Sequence, residues 1–187
     1  TTEIYTLSLH DALPIFLPEA TWLLLPHEMG VISEPAVKIV LENLSRVTAL
    51  LVGPGFGLED PTANFMTQLL GGKKKTKASK IGFMKESEQV EEAKSLLLPP
   101  LVIDADGLKL LAKIPQWHEH LPAQSILTPH PGEMSALTGL STAQIQAERL
   151  STAQTYSRRW GQIVILKGAF TVIASPEGET AIIPVAS

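Results

Sequence analysis

The 187-residue chain is 44% hydrophobic with a formal net charge of -4, enough for one substantial core and no electrostatic reason to bind nucleic acid or an anionic membrane surface. The absence of cysteine excludes disulfides, thiolate metal sites and a cysteine nucleophile, and suits a reducing cytoplasm. No apolar run approaches the roughly 18 residues that a membrane-spanning helix needs, so a soluble protein is expected.

Residues 1–15 resemble the in-frame translation of a sequencing-library adapter ending in CTCTTCCGATCT, and Phe16 fits because its codon would begin with the adapter's last T. They are expected to be a non-native segment, with residues 1–16 outside the domain and 17–187 forming it. On that reading the His10-Asp11 pair carries no chemistry. Trp22-Leu23-Leu24-Leu25 reads as a strand covered on both faces. Val37, Val40, Leu41 and Leu44 then recur at helical spacing. Thr48 to Val52 is a second buried strand, and it runs into Gly53-Pro54-Gly55-Phe56-Gly57. Phe65, Leu69 and Leu70 mark a helix ending at Gly71-Gly72.

Lys73-Lys74-Lys75-Thr76-Lys77 is expected to be a solvated loop rather than a phosphate patch, and the alternating charges of residues 84–95 an exposed helix. Leu101-Val102-Ile103-Asp104 is the next strand, followed by a short helix through Leu108, Leu110 and Leu111. Asp104 and Asp106 could hold magnesium through water, or one could act as a base. The favoured reading has Asp106 capping the helix that begins near Gly107, with Asp104 bonded to strand-end amides. His118 and His120 read as surface residues of a connector that Trp117 anchors.

Ser125 to Thr128 is a short buried strand, and Gly132 to Leu140 is helical through Met134, Leu137 and Leu140. Between them, Pro129 and Pro131 fix the path on either side of His130, with Glu133 in the first helical turn. In a parallel sheet this turn lies at the carboxyl edge of the strands, where ligands bind. Ser141 or Thr142 can cap a long amphipathic helix reaching Trp160 and ended by Gly161. Gln162 to Leu166 is another buried strand, ending in Lys167-Gly168. Thr171 to Ala174 and Ala181 to Ile183, joined by Pro176-Glu177-Gly178, form a closing hairpin. Strands alternating with helices argue for an α/β layered fold with a mainly parallel central sheet flanked by helices.

Each local signal has an ordinary alternative. Gly53, Gly55 and Gly57 lack both the dinucleotide fingerprint and the Gly-Lys-Ser/Thr ending of a P-loop. Lys167 could be a strand-end lysine in water.

In series, however, Gly53-Pro54-Gly55-Phe56-Gly57, Val102-Ile103-Asp104-Ala105-Asp106-Gly107-Leu108, Leu127-Thr128-Pro129-His130-Pro131-Gly132-Glu133 and Leu166-Lys167-Gly168-Ala169-Phe170-Thr171-Val172 closely resemble the NAD(P)H-hydrate dehydratase family, over about residues 17 to 187. The resemblance implies a ribokinase-like fold and ADP- or ATP-dependent dehydration of the S epimer of hydrated NADH or NADPH. It assigns Gly55, Gly57 and His130 to the hydrated dinucleotide. It assigns Lys167, Gly168, Ala169, Phe170 and Thr171 to the adenine nucleotide, with magnesium expected alongside its phosphates. It also implies a cytoplasmic enzyme, a homo-oligomer when complete, with a fused or separate epimerase domain. The family continues into a Gly-Thr/Ser-Gly-Asp motif that this sequence does not contain. The catalytic aspartate is therefore expected beyond Ser187, with the C-terminal part of the fold missing and the fragment inactive. A ribokinase-like kinase acting on a vitamin or sugar hydroxyl and a non-catalytic nucleotide-binding fragment are the alternative readings.

Overall fold

A computed structural model describes residues 21–71, except 22 and 29, and residues 98–184. The expectations for residues 1–16, for Trp22 and Gly72, for the lysine run and for the helix at 84–95 fall outside the described residues.

The described chain is organised on a six-stranded sheet in sequence order. Its strands are β3 (Leu50–Val52), β4 (Leu101–Ile103), β5 (Ile126–Leu127), β6 (Ile163–Leu166), β7 (Thr171–Ala174) and β8 (Thr180–Ile183). The first four pair in parallel and the last two add antiparallel, so the sheet is mainly parallel and the closing hairpin is present. Val52 pairs with Ile103, Ile103 with Leu127 and Leu127 with Val164, which brings the carboxyl ends of four strands to one rim.

The apolar strand sequences read as buried strands, but burial alternates along them. Leu101 and Ile103 are fully buried while Val102 is half-buried, and β6 and β7 repeat this alternation. Leu51 is 54% exposed on the edge strand, so β3 is not buried throughout. Every residue of β8 is exposed. The described chain thus has one closely packed sheet face.

Over its described residues, Leu23 to Leu25, the expected strand does not form, and Leu24 is 94% exposed. Instead β1 (His27–Glu28) and β2 (Val31–Ile32) make a separate two-stranded antiparallel ribbon. A short apolar run does not by itself supply a neighbouring strand, and β3 already forms the sheet edge.

Helices α1 (Ala36–Glu42), α2 (Asp60–Leu69), α3 (Asp106–Leu111) and α4 (Pro131–Thr138) follow the predicted periodicities. Their apolar faces place Val37, Phe65, Met66, Leu108, Leu111 and Met134 in the core. The expected long helix after Ser141 is two helices, α5 (Thr142–Ala147) and α6 (Arg149–Trp160). Ser141 caps the first through a capping box with Gln144. The break is at Glu148, whose φ of -127° and ψ of 42° leave the helical region. Glu148 instead starts the second helix, its carbonyl accepting from Thr152 and from the Ser151 hydroxyl. Gly161, left-handed at φ 65°, ends α6 as expected. That helix packs on β6 and β7, with Trp160 stacked against Tyr156 and Trp117. Trp117 anchors its short 3-10 turn, where His118 is half-buried and His120 exposed.

Candidate functional site at the carboxyl rim

The turn after β3 is made by close backbone contact. A Cβ on Gly53, which has φ +117°, would lie 2.0 Å from the Asp104 carbonyl oxygen. Gly107 is equally confined, since its Cβ would come within 2.9 Å of the Gly53 Cα. Only glycines let these two strand ends touch. Gly55, at φ +74°, has open space where a side chain would be, and Phe56 anchors the turn edge-on against Phe65. The Gly57 amide donates to the Asp106 carboxylate at 3.2 Å. The glycine turn is thereby tied to the start of α3.

Asp106 does not cap α3. It is the helix's first residue, and its carboxylate accepts from Gly57 and pairs with Lys109 at 3.0 Å. The cap position belongs to Ala105, held at φ 50° and ψ -124°, a conformation that costs a non-glycine residue about 1–3 kcal/mol. Asp104 does accept from a strand-end amide, that of Ala105, at 2.8 Å.

The two prolines act as expected. His130 is the N-cap of α4, and Pro131 occupies its first turn. The His130 ring accepts at Nδ1 from the amides of Gly132 and Glu133, at 2.9 and 3.2 Å. An accepting Nδ1 leaves the ring proton on Nε2, which lies 3.2 Å from Oε1 of Glu133. Glu133 completes a capping box by accepting from the His130 amide at 2.9 Å. His130 is exposed, whereas Glu133 is only 4% exposed.

Lys167 follows β6 directly, and its amide donates to the Pro129 carbonyl at 2.8 Å, which keeps the two strand ends level. Its ammonium lies 2.5 Å from Oδ1 of Asp104 and 3.9 Å from Oε2 of Glu133. Partial burial opposes ionisation of Asp104. Hydrogen bonds from Lys167, the Ala105 amide and Thr128, with the charge of Lys167, outweigh it and hold the carboxyl below its ordinary range. Beyond Lys167 the chain turns through Gly168 at φ +139° and Phe170 at φ 57°, and the Thr171 hydroxyl donates to the Gly168 carbonyl at 3.0 Å. Ala169 and Phe170 are exposed, Phe170 by 56%.

The structure therefore gathers Gly55 and Gly57, His130, and Lys167 to Thr171 along one rim. Two acidic residues join them: Asp104 binds Lys167, and Glu133 touches both His130 and Lys167. The first was visible as a carboxylate at a strand end, though its partner 63 residues away was not. Glu133 was read only as a favourable charge at a helix start, although a histidine three residues before a glutamate is the spacing of the box it forms.

The chain is similar to known proteins in sequence and in fold. The family model described as NAD(P)H-hydrate dehydratase matches residues 15–187. The chain belongs to the NAD(P)H-hydrate dehydratase family. A bifunctional NAD(P)H-hydrate repair enzyme of Moorella thermoacetica is 36% identical over 186 residues, covering 98% of this chain and 27% of that protein. An ADP-dependent (S)-NAD(P)H-hydrate dehydratase of Neisseria meningitidis is 38% identical over 82 residues, 43% of this chain and 28% of that one. Among solved structures, the ADP/ATP-dependent NAD(P)H-hydrate dehydratase of Bacillus subtilis, co-crystallized with ATP/Mg2+ and soaked with CoA, superposes with TM-score 0.60 at 23% identity, over 94% of this chain and 51% of that one. A ribokinase-like superfamily protein of Enterococcus faecalis superposes with TM-score 0.63 at 19% identity, over 96% and 51%. These likenesses show a ribokinase-like fold for this family member. The chain spans about half the length of those structures and about a quarter of the Moorella protein.

Proposed function

We propose that this chain carries the binding rim of an enzyme that dehydrates the S epimer of hydrated NADH or NADPH at the expense of ADP or ATP. One observation supports this reading most: the buried Glu133 carboxylate touches both His130, assigned to the hydrate, and Lys167, assigned to the nucleotide. In the balanced reaction the hydrate hydroxyl takes a phosphoryl group from the nucleotide. The carbon–oxygen bond then breaks, phosphate leaves, a ring proton is lost, and the dihydropyridine double bond is restored.

The residues present account for binding and orientation. Gly55 admits a ligand close to the backbone, and the Nε2–H of His130 can donate to a ligand oxygen. Lys167, half-exposed between two carboxylates, offers its ammonium to phosphate. Among the described residues no group of three or more His, Asp or Glu could hold a metal ion, and both rim aspartates are already engaged. The expected place of magnesium is on the nucleotide phosphates.

A cytoplasmic location agrees with the lack of cysteine and with the lack, among the described residues, of a helix long and apolar enough to cross a membrane. The bifunctional repair enzymes among the relatives are in keeping with a partner epimerase activity, fused or separate; a homo-oligomeric whole enzyme is part of the same proposal.

Titration calorimetry with ADP and with (S)-hydrated NADPH tests the reading. Binding of both, each still occurring when the other is saturating, is expected. ADP binding without hydrate binding would favour a small-molecule kinase, and binding of neither would overturn the reading.

A further inference from the structure

The charge balance at the rim leaves a gap. Lys167 is the cation of the nucleotide segment, yet its ammonium faces two carboxylates, Asp104 and Glu133. Those three groups together carry one net negative charge when ionised, which repels an anionic phosphate. Beyond the magnesium expected on the phosphates, a cation of the protein's own beside this segment would offset that repulsion.

Arg149 stands beside that segment. One Nη donates to the carbonyls of Leu166 and Lys167, at 2.8 and 3.3 Å, and the other donates to the Gln146 side chain at 2.9 Å. These acceptors are neutral, and its Nε is buried without a partner. Among the described residues no carboxylate is paired with the guanidinium. It also fits under Gly168: a Cβ there would lie 3.2 Å from one Nη and 3.3 Å from the other. The break at Glu148 gives this contact a structural origin, because it makes Arg149 the first residue of α6, over the end of β6.

We infer that Arg149 is the positioning residue of the nucleotide segment: it clamps the main chain beneath Gly168 through the Leu166 and Lys167 carbonyls and adds positive charge to that of Lys167, which two carboxylates offset. The inference rests on the proposed nucleotide role of Lys167 to Thr171. Arginine suits both tasks because one Nη serves the two carbonyls while the other reaches Gln146, a span that a single lysine ammonium does not cover.

The test is calorimetric titration of the full chain and its R149Q and R149K variants with ADP, and in parallel with (S)-hydrated NADPH. R149Q is expected to weaken ADP by about tenfold or more, as for loss of a charge-assisted contact. Its hydrate affinity should stay within about twofold, which also certifies the fold. R149K keeps the charge but not the fork, so its ADP affinity should fall less. The dependence of ADP affinity on salt should flatten in R149Q and persist in R149K, a difference that a merely structural role does not produce. If R149Q unfolds, R149K decides alone. ADP binding of wild-type strength and salt dependence in the folded variants would overturn the inference and leave the proposed function standing. A wild-type chain that binds no ADP would overturn both.

Discussion

The ammonium of Lys167 and Oδ1 of Asp104 meet at 2.5 Å across 63 residues of sequence, bridging the ends of β6 and β4 over the intervening β5. The pair ties the end of β6 to the end of β4. It also makes part of the fold's stability depend on an ionised carboxylate.

That dependence has a definite sign. Asp104 is held below its ordinary value of 3.8, so between the folded and unfolded values the unfolded chain binds more protons. The stabilisation is complete above the unfolded value and is lost as pH falls through the lowered, folded one. Thermal unfolding of the wild type and of Asp104→Asn should therefore differ most near neutrality, with the wild type more stable. The two melting curves should converge in acid. Parallel curves at every pH would show that the carboxylate's charge contributes nothing.

The two glycines of the first turn should separate folding from binding. Gly53→Ala places a methyl 2.0 Å from a backbone oxygen and 2.6 Å from the Gly107 amide nitrogen, neither of which can yield. A loss of about 3 kcal/mol or more is expected by denaturant unfolding. Gly55→Ala meets nothing within 4 Å and suffers only its left-handed backbone, about 1–2 kcal/mol. Its larger effect should be on hydrated NADPH, whose approach the methyl obstructs. Undiminished hydrate binding by Gly55→Ala would remove this glycine from the site.

Ser125 joins β4 to β5 from inside the core. Its buried hydroxyl accepts from the Leu101 amide at 3.0 Å and donates to the Pro122 carbonyl at 2.8 Å, while its own amide donates to Gln162 at 2.9 Å. Ser125→Ala leaves the Leu101 amide without that acceptor at the start of a strand, costing about 1–3 kcal/mol. Equilibrium unfolding should register this loss with ADP affinity unchanged. A neutral substitution would mean that another acceptor takes over.

Much of this architecture was legible because local chemistry and tertiary role agree. The alternation of apolar runs with helical spacing specified the sheet, and Pro129-His130-Pro131 specified the helix start, though not the capping box that His130 and Glu133 form there. Failures arose where the deciding contact is remote. Trp22 to Leu25 has the composition of a strand but, over Leu23 to Leu25, no neighbouring strand. The helix after Ser141 reads as continuous because Glu148 and Arg149 are good helix formers, and no periodicity announces that Arg149 turns to carbonyls at positions 166 and 167. Asp106 has a capping residue's identity, but the Gly57 amide captures its carboxylate. Propensity ranks local options, and long-range partners choose among them.

His130 performs two tasks with two nitrogens, so they can be separated. Nδ1 caps α4, and Nε2 carries the proton that faces Glu133 and is assigned to the hydrate. His130→Ala removes both functions. It should cost about 1 kcal/mol of stability, as for a lost N-cap, and about three- to tenfold in affinity for hydrated NADPH, as for one hydrogen bond. Asparagine caps helices well through its side-chain oxygen but does not reach as far as Nε2. His130→Asn should therefore restore the melting temperature while hydrate binding stays as weak as in the alanine variant. ADP affinity should remain within about twofold of wild type in both, because Lys167 keeps Asp104 and Glu133 as partners. Recovery of hydrate binding together with stability in His130→Asn would make the histidine a cap and nothing more.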